Sequence, residues 1–239
     1  MLVTRPGTAG ARTAERLRAL GHHVVASPVL LVVPTTEPAP PGPFDALVLT
    51  SANAVPFLPT ILGGGPSPPV FAVGERTAAA AREAGIGRVL VGGGDGSVLA
   101  GLVAGTVPEA SRILLIAGRD RKPEPEGSLR AAGHAVAIWT AYEAVEASSL
   151  TADAAEAIRS VGLDAALHYS RRSAAALVRL AAEAGLLPPL RTATHLCLSA
   201  DVALPLREAD IPRLVVADRP DEGSLLRALA DLSTPSPSR

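Results

Sequence analysis

The chain is poor in the residues that build several kinds of site. Its 239 residues include one cysteine, Cys197, and one lysine, Lys122. A single cysteine excludes a disulfide framework and a cysteine-rich metal site. Aromatic residues make up 3% of the chain, which leaves few of the stacking platforms that bind single-stranded nucleic acid. The basic side chains are therefore almost all arginines.

Neither the net charge nor the length of the apolar stretches indicates a nucleic-acid or membrane partner. The 22 Lys and Arg residues nearly balance the 23 Asp and Glu residues, for a net charge of −1. A nucleic-acid-binding protein usually carries a basic excess, so we expect no nucleic-acid partner. The longest apolar stretch, Val24 to Val33, is interrupted at Ser27 and Pro28 and falls short of the roughly 20 residues of a membrane helix. The opening MLVTRPGTAG lacks the pattern of a signal or transit peptide, so we expect a cytoplasmic protein with no membrane contact.

Alternating segment types predict an α/β fold. Short β-like runs such as Leu2–Thr4 and Ile113–Ile116 precede stretches rich in Ala, Leu and Arg. One such stretch, Ala9–Leu20, stops at Gly21, and glycine commonly follows a helix. Strands that alternate with helices in this way predict βαβ units and a parallel sheet.

An internal repeat indicates two domains. Three earlier segments resemble three later ones in the same order, and they begin LVTRPG and ILLIAG, FDALVL and LDAALH, VFAVGE and LCLSAD. Three ordered pairs favour a duplicated α/β unit. We therefore predict two similar parallel-sheet domains, Rossmann-like or flavodoxin-like, rather than one large sheet.

Polar residues cluster where predicted strands pass into helices, which is where parallel α/β domains bind ligands. Helix N-termini favour anions, although Ser and Thr at these positions also act as ordinary N-caps. Capping is the simpler explanation for any one turn. Six such turns, four of them with arginine, favour an anion-binding cleft, because arginine can bind a carboxylate through two hydrogen bonds. The candidate binding residues are Arg5, Ser51, Asn53, Gly74, Thr77, Gly118, Arg119, Ser170, Arg171, Ser173 and Ser199.

Other motifs carry no chemistry of their own. The five histidines lack a carboxylate at metal-ligand spacing, so we expect no metal site. The Gly92–Gly96 run, GGGDG, lacks both the spaced glycines of dinucleotide sites and the Gly-Lys-Ser/Thr of nucleotide P-loops. We predict that it is a surface loop. No Gly-x-Ser-x-Gly motif supports serine hydrolase chemistry.

Tyr142 lies in a strand-like run, AIWTAYE, that leaves one repeat and enters the next. Such a connector borders any cleft between two domains. Two interpretations stay open from the residues alone. Tyr142 packs with Trp139 at the junction, or it takes part in chemistry.

Several of these motifs together resemble the uroporphyrinogen-III synthase family. They are VTRP, DALVLTSANAV from Asp45, FAVGERTA from Phe71, WTAYE and DAALHYSRRSA from Asp164, and they span Leu2 to about Leu232. The resemblance implies two α/β domains joined by a two-stranded connector. One domain would be discontinuous, 1–33 plus 144–239, with 34–143 inserted. The Pro/Ser-rich segment 234–239 is predicted to be a disordered tail.

The resemblance also implies a reaction. It implies a lyase of haem and cobalamin biosynthesis that cyclises hydroxymethylbilane, a linear tetrapyrrole with eight carboxylates, with loss of water and inversion of ring D. This substrate also closes unaided to the uninverted isomer, so the protein must mainly orient it. Such orientation contributes up to about 7–11 kcal/mol. No cofactor is implied, and we expect the substrate to lie between the two domains.

The resemblance assigns roles to matching positions. Tyr142 would assist departure of the substrate hydroxyl, because a phenol with a pKa near ~10 stays protonated at neutral pH. Ser51, Thr77 and Ser170 match hydroxyl residues of the family's substrate cleft. The turn after Leu198 departs from the pattern, since Asp201 would repel a substrate carboxylate unless it caps the helix or points away.

We expect a monomer that makes transient contact with the preceding pathway enzyme. One alternative is a non-catalytic, two-domain anion-binding or regulatory relative. Another is a two-domain α/β enzyme such as a sugar-nucleotide transferase, which often has a metal-binding Asp pair that the sequence does not show.

Overall fold

A computed structural model describes residues 1–63 and 67–233 of the chain. The described chain divides into two compact units. Unit 1 comprises Met1–Leu31 together with the chain from Val145 onward, and unit 2 comprises Val32–Ala144. The predicted tail, 234–239, lies outside the described residues.

The helices and strands alternate along both units. The first part of unit 1 contains β1 (Leu2–Val3), α1 (Gly7–Ala19) and β2 (Val25–Ala26). The next elements are β3 (Leu30–Pro34), β4 (Ala46–Leu49), a 3₁₀ helix (Ala52–Phe57), α2 (Leu58–Leu62), β5 (Val70–Ala72), α3 (Glu75–Glu83), β6 (Val89–Val91), α4 (Gly96–Ala104), β7 (Arg112–Gly118), α5 (Glu126–Ala131) and β8 (Ala135–Glu146). The chain then returns to unit 1 with α6 (Ala152–Arg159), β9 (Ala165–His168), α7 (Arg171–Glu183), α8 (Leu187–Leu190), β10 (Thr194–Cys197), α9 (Ala200–Glu208), β11 (Leu214–Val216) and α10 (Glu222–Ser233).

Unit 1 is built on a five-stranded parallel sheet in the order β11-β10-β9-β1-β2. β1 lies between β9 and β2, and Leu2 pairs with Ala166 on one side and Val25 on the other. In chain order this is the 2-1-3-4-5 arrangement of flavodoxin-like sheets, whose strand order reverses between the first and third strands. The predicted α/β class with parallel sheets is confirmed here.

Unit 2 has a six-stranded sheet in the order β3-β8-β7-β4-β5-β6. Every pairing from β8 to β6 is parallel. β4 and β7 are the central neighbours, and the strand order reverses between them. β3 lies at the edge beside β8, and the boundaries between the units fall within these two strands.

The sequence repeat corresponds to equivalent places in the two sheets. Read from β2, the order β2-β1-β9-β10-β11 in unit 1 matches β8-β7-β4-β5-β6 in unit 2. The repeated segments therefore supply β1 and β7, β9 and β4, and β10 and β5. The match continues to α10 and α4, because an aspartate carboxylate caps each helix by accepting a hydrogen bond from a serine backbone N–H. Asp221 Oδ1 accepts from Ser224 N at 2.7 Å, and Asp95 Oδ1 accepts from Ser97 N at 2.8 Å.

Both sheets are buried on their two faces, as expected of parallel strands covered by helices. In unit 2, Leu47 and Leu49 point into one core cluster and Ala46 and Val48 into another. The helix ends follow the predicted glycine rule. Gly21 after α1 and Gly185 after α7 have φ of 87° and 68°, a region that glycine enters without steric cost. The sequence alone does not indicate β6, α4, α6 or α8.

Candidate active site

A cavity of about 690 Å³ opens at the carboxyl ends of the unit 2 strands. The turns after β4, β5, β6 and β7 supply most of its lining, and β8 and β3 supply the rest. The cavity includes the point between β4 and β7 where the strand order reverses, which is where open α/β sheets bind ligands. Five predicted site residues line it, namely Ser51, Asn53, Gly118, Arg119 and Tyr142.

A β-bulge places Tyr142 at this cavity. Ala117 pairs with Thr140, but the next residue, Gly118, pairs with Tyr142. Ala141 is therefore an extra residue in β8, and a bulge of this kind bends the strand and re-aims the following side chain. Successive residues of a regular strand face opposite sides, yet Ala141 and Tyr142 both pack into the same core cluster.

The Tyr142 ring packs against two neighbours. It stacks on Phe57 at 5.9 Å between ring centroids, with an interplanar angle of 20°. It also lies against the backbone at Gly118, where an added Cβ would come within 2.7 Å of Tyr142 Cε2. The residue is 8% exposed. Burial raises the pKa of Tyr142, and interactions with the Ser51 hydroxyl and the Gly118 backbone oppose that rise, so the phenol is protonated at neutral pH.

Arg119 is engaged by carboxylates of unit 2. Its Nε lies 2.8 Å from Glu143 Oε2, and one of its terminal nitrogens lies 3.9 Å from Glu37 Oε1. Its backbone N–H donates to Tyr142 O at 2.9 Å. The arginine is about half exposed, so its ion pairs contribute at most about 1 kcal/mol each.

The cavity lining carries mixed charge rather than a purely basic surface. Its cationic residues are Arg119, Arg121 and Lys122, and its acidic residues are Asp95, Asp120, Glu124 and Glu143. Asp95 caps α4, and backbone hydrogen bonds from Ser97 and Val98 lower the pKa of its carboxyl group. Glu124 Oε2 accepts from Ser128 N at 3.2 Å. Much of the negative charge is therefore already held by protein hydrogen-bond donors.

Two lining segments were not predicted as site residues. The Gly92–Gly96 loop, predicted to be an ordinary surface loop, contributes Gly94, Asp95 and Gly96 to the cavity. Residues 93–95 form an exposed loop, as predicted. The sequence did not indicate that this loop is the turn between β6 and α4, because neither element was recognised. The second segment follows β7 at Asp120–Glu124, and it meets the first where a Cβ on Gly96 would lie 2.9 Å from Glu124 Cβ.

Gly74 and Thr77 do not line the cavity, although the turn that contains them lies next to it. Gly74 is the N-cap of α3, and Thr77 is buried in the first turn of that helix. An added Cβ on Gly74 would lie 3.7 Å from Gly94 Cα. Binding roles for these two residues stay predictions.

In unit 1 the predicted site residues make helix caps and ion pairs. Ser170 Oγ accepts from Ser173 N at 3.1 Å and caps α7, and Ser199 caps α9. Arg171 lies 3.4 Å from Asp201 Oδ1, so the carboxylate that departs from the family pattern has a cationic partner. The capping interpretation accounts for these two serines as they stand, and their binding roles stay predictions.

Arg5 belongs to a cluster that the sequence does not indicate. Its guanidinium lies over the Tyr169 ring at 4.4 Å and 3.6 Å from Glu222 Oε1. Glu222 also accepts hydrogen bonds from Thr13 Oγ1 at 2.6 Å and from Arg16 at 2.7 Å. Desolvation acts to raise the pKa of Glu222, but these donors outweigh it and the pKa is lowered. Because Glu222 is distant in sequence from Arg5, no local pattern could have paired them.

A buried histidine pair bridges β9 and β10. His168 Nε2 lies 2.9 Å from His195 Nδ1, and His195 Nε2 lies 3.1 Å from Leu190 O. A carbonyl only accepts, so His195 donates through Nε2 and accepts from His168 at Nδ1. Within residues 1–63 and 67–233, no group of three or more His, Cys, Asp or Glu side chains is placed to hold a metal ion. None of the described helices has the length and apolar character needed to cross a membrane.

Comparisons with known proteins give the same family as the sequence motifs. The model of the uroporphyrinogen-III synthase HemD family matches residues 11–227. The crystal structure of uroporphyrinogen-III synthetase from Helicobacter pylori 26695 is 20% identical, with a TM-score of 0.59, over 87% of this chain and 92% of that one. A mutant uroporphyrinogen III synthase from the extremely thermophilic bacterium Thermus thermophilus is 20% identical over 96% and 98% of the two chains, with a TM-score of 0.44.

A search of curated proteins gives no match. The Helicobacter structure shows that the fold is shared, while the family match covers most of the sequence. The chain therefore belongs to the uroporphyrinogen-III synthase family, whose members are lyases of tetrapyrrole biosynthesis.

Proposed function

We propose that the unit 2 cavity is where this synthase holds the reacting end of hydroxymethylbilane while the ring closes. The family reaction removes water from the linear tetrapyrrole and inverts ring D to form uroporphyrinogen III. The observation that carries the proposal is the position of Tyr142, whose phenol faces a cavity at the reversal point of the sheet. A volume of about 690 Å³ lies in the range of small-molecule sites.

Tyr142 would act as the proton donor. The substrate hydroxyl leaves as water once it gains a proton, and the electron-rich pyrrole stabilises the resulting azafulvene cation. Burial raises the pKa of Tyr142, so the phenol keeps its proton until a developing hydroxide can accept it. A positioned acid of this kind contributes about 10²–10⁴-fold to rate.

Arg119 would bind a substrate carboxylate. Its pairs with Glu143 and Glu37 are exposed and therefore weak, so an incoming carboxylate can replace one of them at little cost. The guanidinium would then fork onto the substrate. Ser51 and Asn53 lie on the opposite side of the reversal point, where the 3₁₀ helix begins.

The activity test uses the isomer of the product. Freshly prepared hydroxymethylbilane is incubated with the chain, the product is oxidised and the porphyrin isomers are separated. We expect isomer III well above the blank, and Tyr142→Phe should lower its rate of formation about 10²-fold or more without loss of fold. Isomer I alone, at the rate of the blank, would refute the function. An unchanged rate in Tyr142→Phe would remove Tyr142 from the mechanism.

The sole lysine provides an independent test of where the substrate binds. Lys122 is exposed and lines the cavity, so an amine-reactive acylating reagent modifies it and the N-terminal amine. The extent of modification at each amine is measured by peptide mass mapping, with and without the reaction product. We expect the product to protect Lys122 and to leave the N-terminus unaffected. Equal labelling of Lys122 with and without product would contradict binding at this cavity.

We propose that residues 1–33 with 144–239 form one domain and that 34–143 form the inserted one, which the contiguous unit 2 supports. We also propose a cytoplasmic monomer that receives its unstable substrate through transient contact with the preceding enzyme. Light scattering of the purified chain tests the monomer, and a dimer at working concentration would contradict it.

A further inference from the structure

The Tyr142 phenol lies beside polar groups from the two strands that flank the reversal point. Gly118 ends β7, and its backbone lies against the ring, with 3.2 Å from an added Cβ to the phenol carbon Cζ. Ser51 follows β4, the neighbour of β7 in the sheet. All three residues line the same cavity.

The Ser51 hydroxyl can donate its proton to Tyr142 while one of its lone pairs accepts a hydrogen bond from the backbone. Ser51 Oγ accepts a hydrogen bond from Asn53 N at 3.2 Å, which caps the 3₁₀ helix. A hydroxyl has one proton to donate and two lone pairs to accept. Interactions with this hydroxyl and with the Gly118 backbone both favour the ionised form of Tyr142, as donated hydrogen bonds do.

These neighbours address a specific difficulty. A buried phenol that gives up its proton becomes a phenolate in a poorly solvated place, and burial alone opposes that change. Preorganised donors aimed at the developing charge offset the penalty. Catalytic hydrogen bonds are often long in a free enzyme and tighten when substrate binds.

We propose that Ser51 and the Gly118 amide are positioning groups that hold the Tyr142 phenol oxygen, direct its proton into the cavity and stabilise the phenolate left after transfer. This inference rests on the proposed function and goes beyond it, because it gives Ser51 a role toward Tyr142 instead of toward a substrate carboxylate. The glycine at 118 is required because any side chain would occupy the place of the ring.

Atoms and charges balance in the proton transfer. The bond between the methylene carbon and the hydroxyl oxygen breaks with its electron pair on oxygen, and the Tyr142 proton joins that oxygen to form water. The pyrrole carries the positive charge and Tyr142 becomes a phenolate. The substituted α carbon of ring D attacks this cation, and the bond from that carbon to its own methylene bridge then breaks, which restores ring D and leaves a second azafulvene cation on ring C. The free α carbon of ring D attacks the second cation to close the inverted ring. That carbon then loses its proton, ring D regains its aromaticity, and the proton returns to Tyr142.

The test follows the phenol directly. The chain has two tyrosines, so a Tyr169→Phe background leaves Tyr142 alone, and biosynthetic fluorotyrosine brings its titration to a lower pH than tyrosine itself. Ionisation is followed by absorbance and fluorine NMR. Ser51→Ala should raise the titration midpoint by about one pH unit and lower kcat about tenfold, because a hydrogen bond to a charged group contributes this much. Ser51→Thr, which keeps the hydroxyl, should restore both.

A matched control separates capping from positioning. Thr151 caps α6 of unit 1, with its Oγ1 3.4 Å from Ala154 N, so Thr151→Ala removes the cap of a helix that does not line the cavity. It should leave both the titration and kcat unchanged.

The outcomes distinguish the inference from the proposed function. An unshifted midpoint in Ser51→Ala, or a Ser51→Thr chain that behaves like Ser51→Ala, would overturn the positioning role. If no chain forms isomer III, the proposed function fails, while the titration still decides whether Ser51 holds the phenol.

Discussion

The buried histidine pair of unit 1 makes the free energy of unfolding depend on pH. Burial lowers the pKa of His168 well below its ordinary value, and the neighbouring His195 lowers it further. Burial also lowers the pKa of His195, although its hydrogen bond to the Leu190 carbonyl opposes the shift. The unfolded chain binds protons at these histidines below about pH 6.5, whereas the folded chain resists them. Stability is therefore complete above that pH and falls as the solution is acidified.

The size of the effect follows from the depth of burial. His168 is 0% exposed, and each proton taken up only by the unfolded chain costs about 1.36 kcal/mol of stability per pH unit. Between pH 6.5 and 5.0 His168 alone lowers the free energy of unfolding by about 2 kcal/mol, and His195 can at most double that. A domain is typically stable by about 5–15 kcal/mol, so the loss is readily measured.

The strand pairing of unit 2 supplies the variant. Leu49 pairs with Ala72 as His168 pairs with Cys197. Val70 pairs with Leu47 as His195 pairs with Ala166. The double variant His168→Leu/His195→Val therefore installs the apolar pair of unit 2.

The measurement is urea unfolding at pH 7.5 and pH 5.0, followed by far-ultraviolet circular dichroism. Fluorescence would follow the wrong unit, because Trp139 is the only tryptophan and lies in unit 2. The double variant should lose about 2 kcal/mol less than the parent chain between the two pH values. The exposed-site control His23→Gln should lose as much as the parent. Equal losses in the parent and the double variant would refute the reasoning.

Two further predictions concern the site. Gly118→Ala should displace the Tyr142 ring, destabilise the chain by about 1–3 kcal/mol and lower kcat up to about 10²-fold. In a Tyr142→Phe background, Gly118→Ala should lower kcat little further. The control Gly101→Ala, where a Cβ meets no atom within 4 Å, should leave kcat unchanged. Additive losses of kcat in the double variant would show that Gly118 does not act through Tyr142. Arg171→Ala should raise KM more than Arg179→Ala, measured by the isomer assay, because Arg171 begins α7 near the carboxyl end of β9, whereas Arg179 lies farther along the same helix. Equal KM values would argue against a binding role for the turn that contains Arg171.

Elements whose signals lie within a few residues of sequence were predicted. The helix predicted over Ala9–Leu20 is α1, which spans Gly7–Ala19, because its composition and its terminal glycine are both read within a few residues. β6 was missed since three half-buried residues beside the glycine-rich Gly92–Gly96 run carry little periodicity. The loop after it could then not be placed at the cavity.

Features set by pairing between distant strands could not be predicted. The bulge at Ala117 and Gly118 exists only relative to β8, and no residue pattern within β8 announces it. The cluster around Glu222 joins residues from both ends of the chain. Tyr142 was singled out as a candidate, but what holds its ring depends on these long-range contacts.

The pairing of Leu2 with Ala166 joins two strands that the ribosome synthesises far apart in time. The residues of β1 and β2 emerge before unit 2, whereas β9, the partner of β1 on its other side, emerges only after all of unit 2. A nascent chain must therefore carry β1 with one edge unpaired, and unpaired edges are sites of aggregation. Unit 2, which is contiguous, can close its sheet in the meantime. A translational pause or truncation before residue 165 would thus leave a folded unit 2 attached to an incomplete unit 1. Chaperones and proteases act on such partly folded chains.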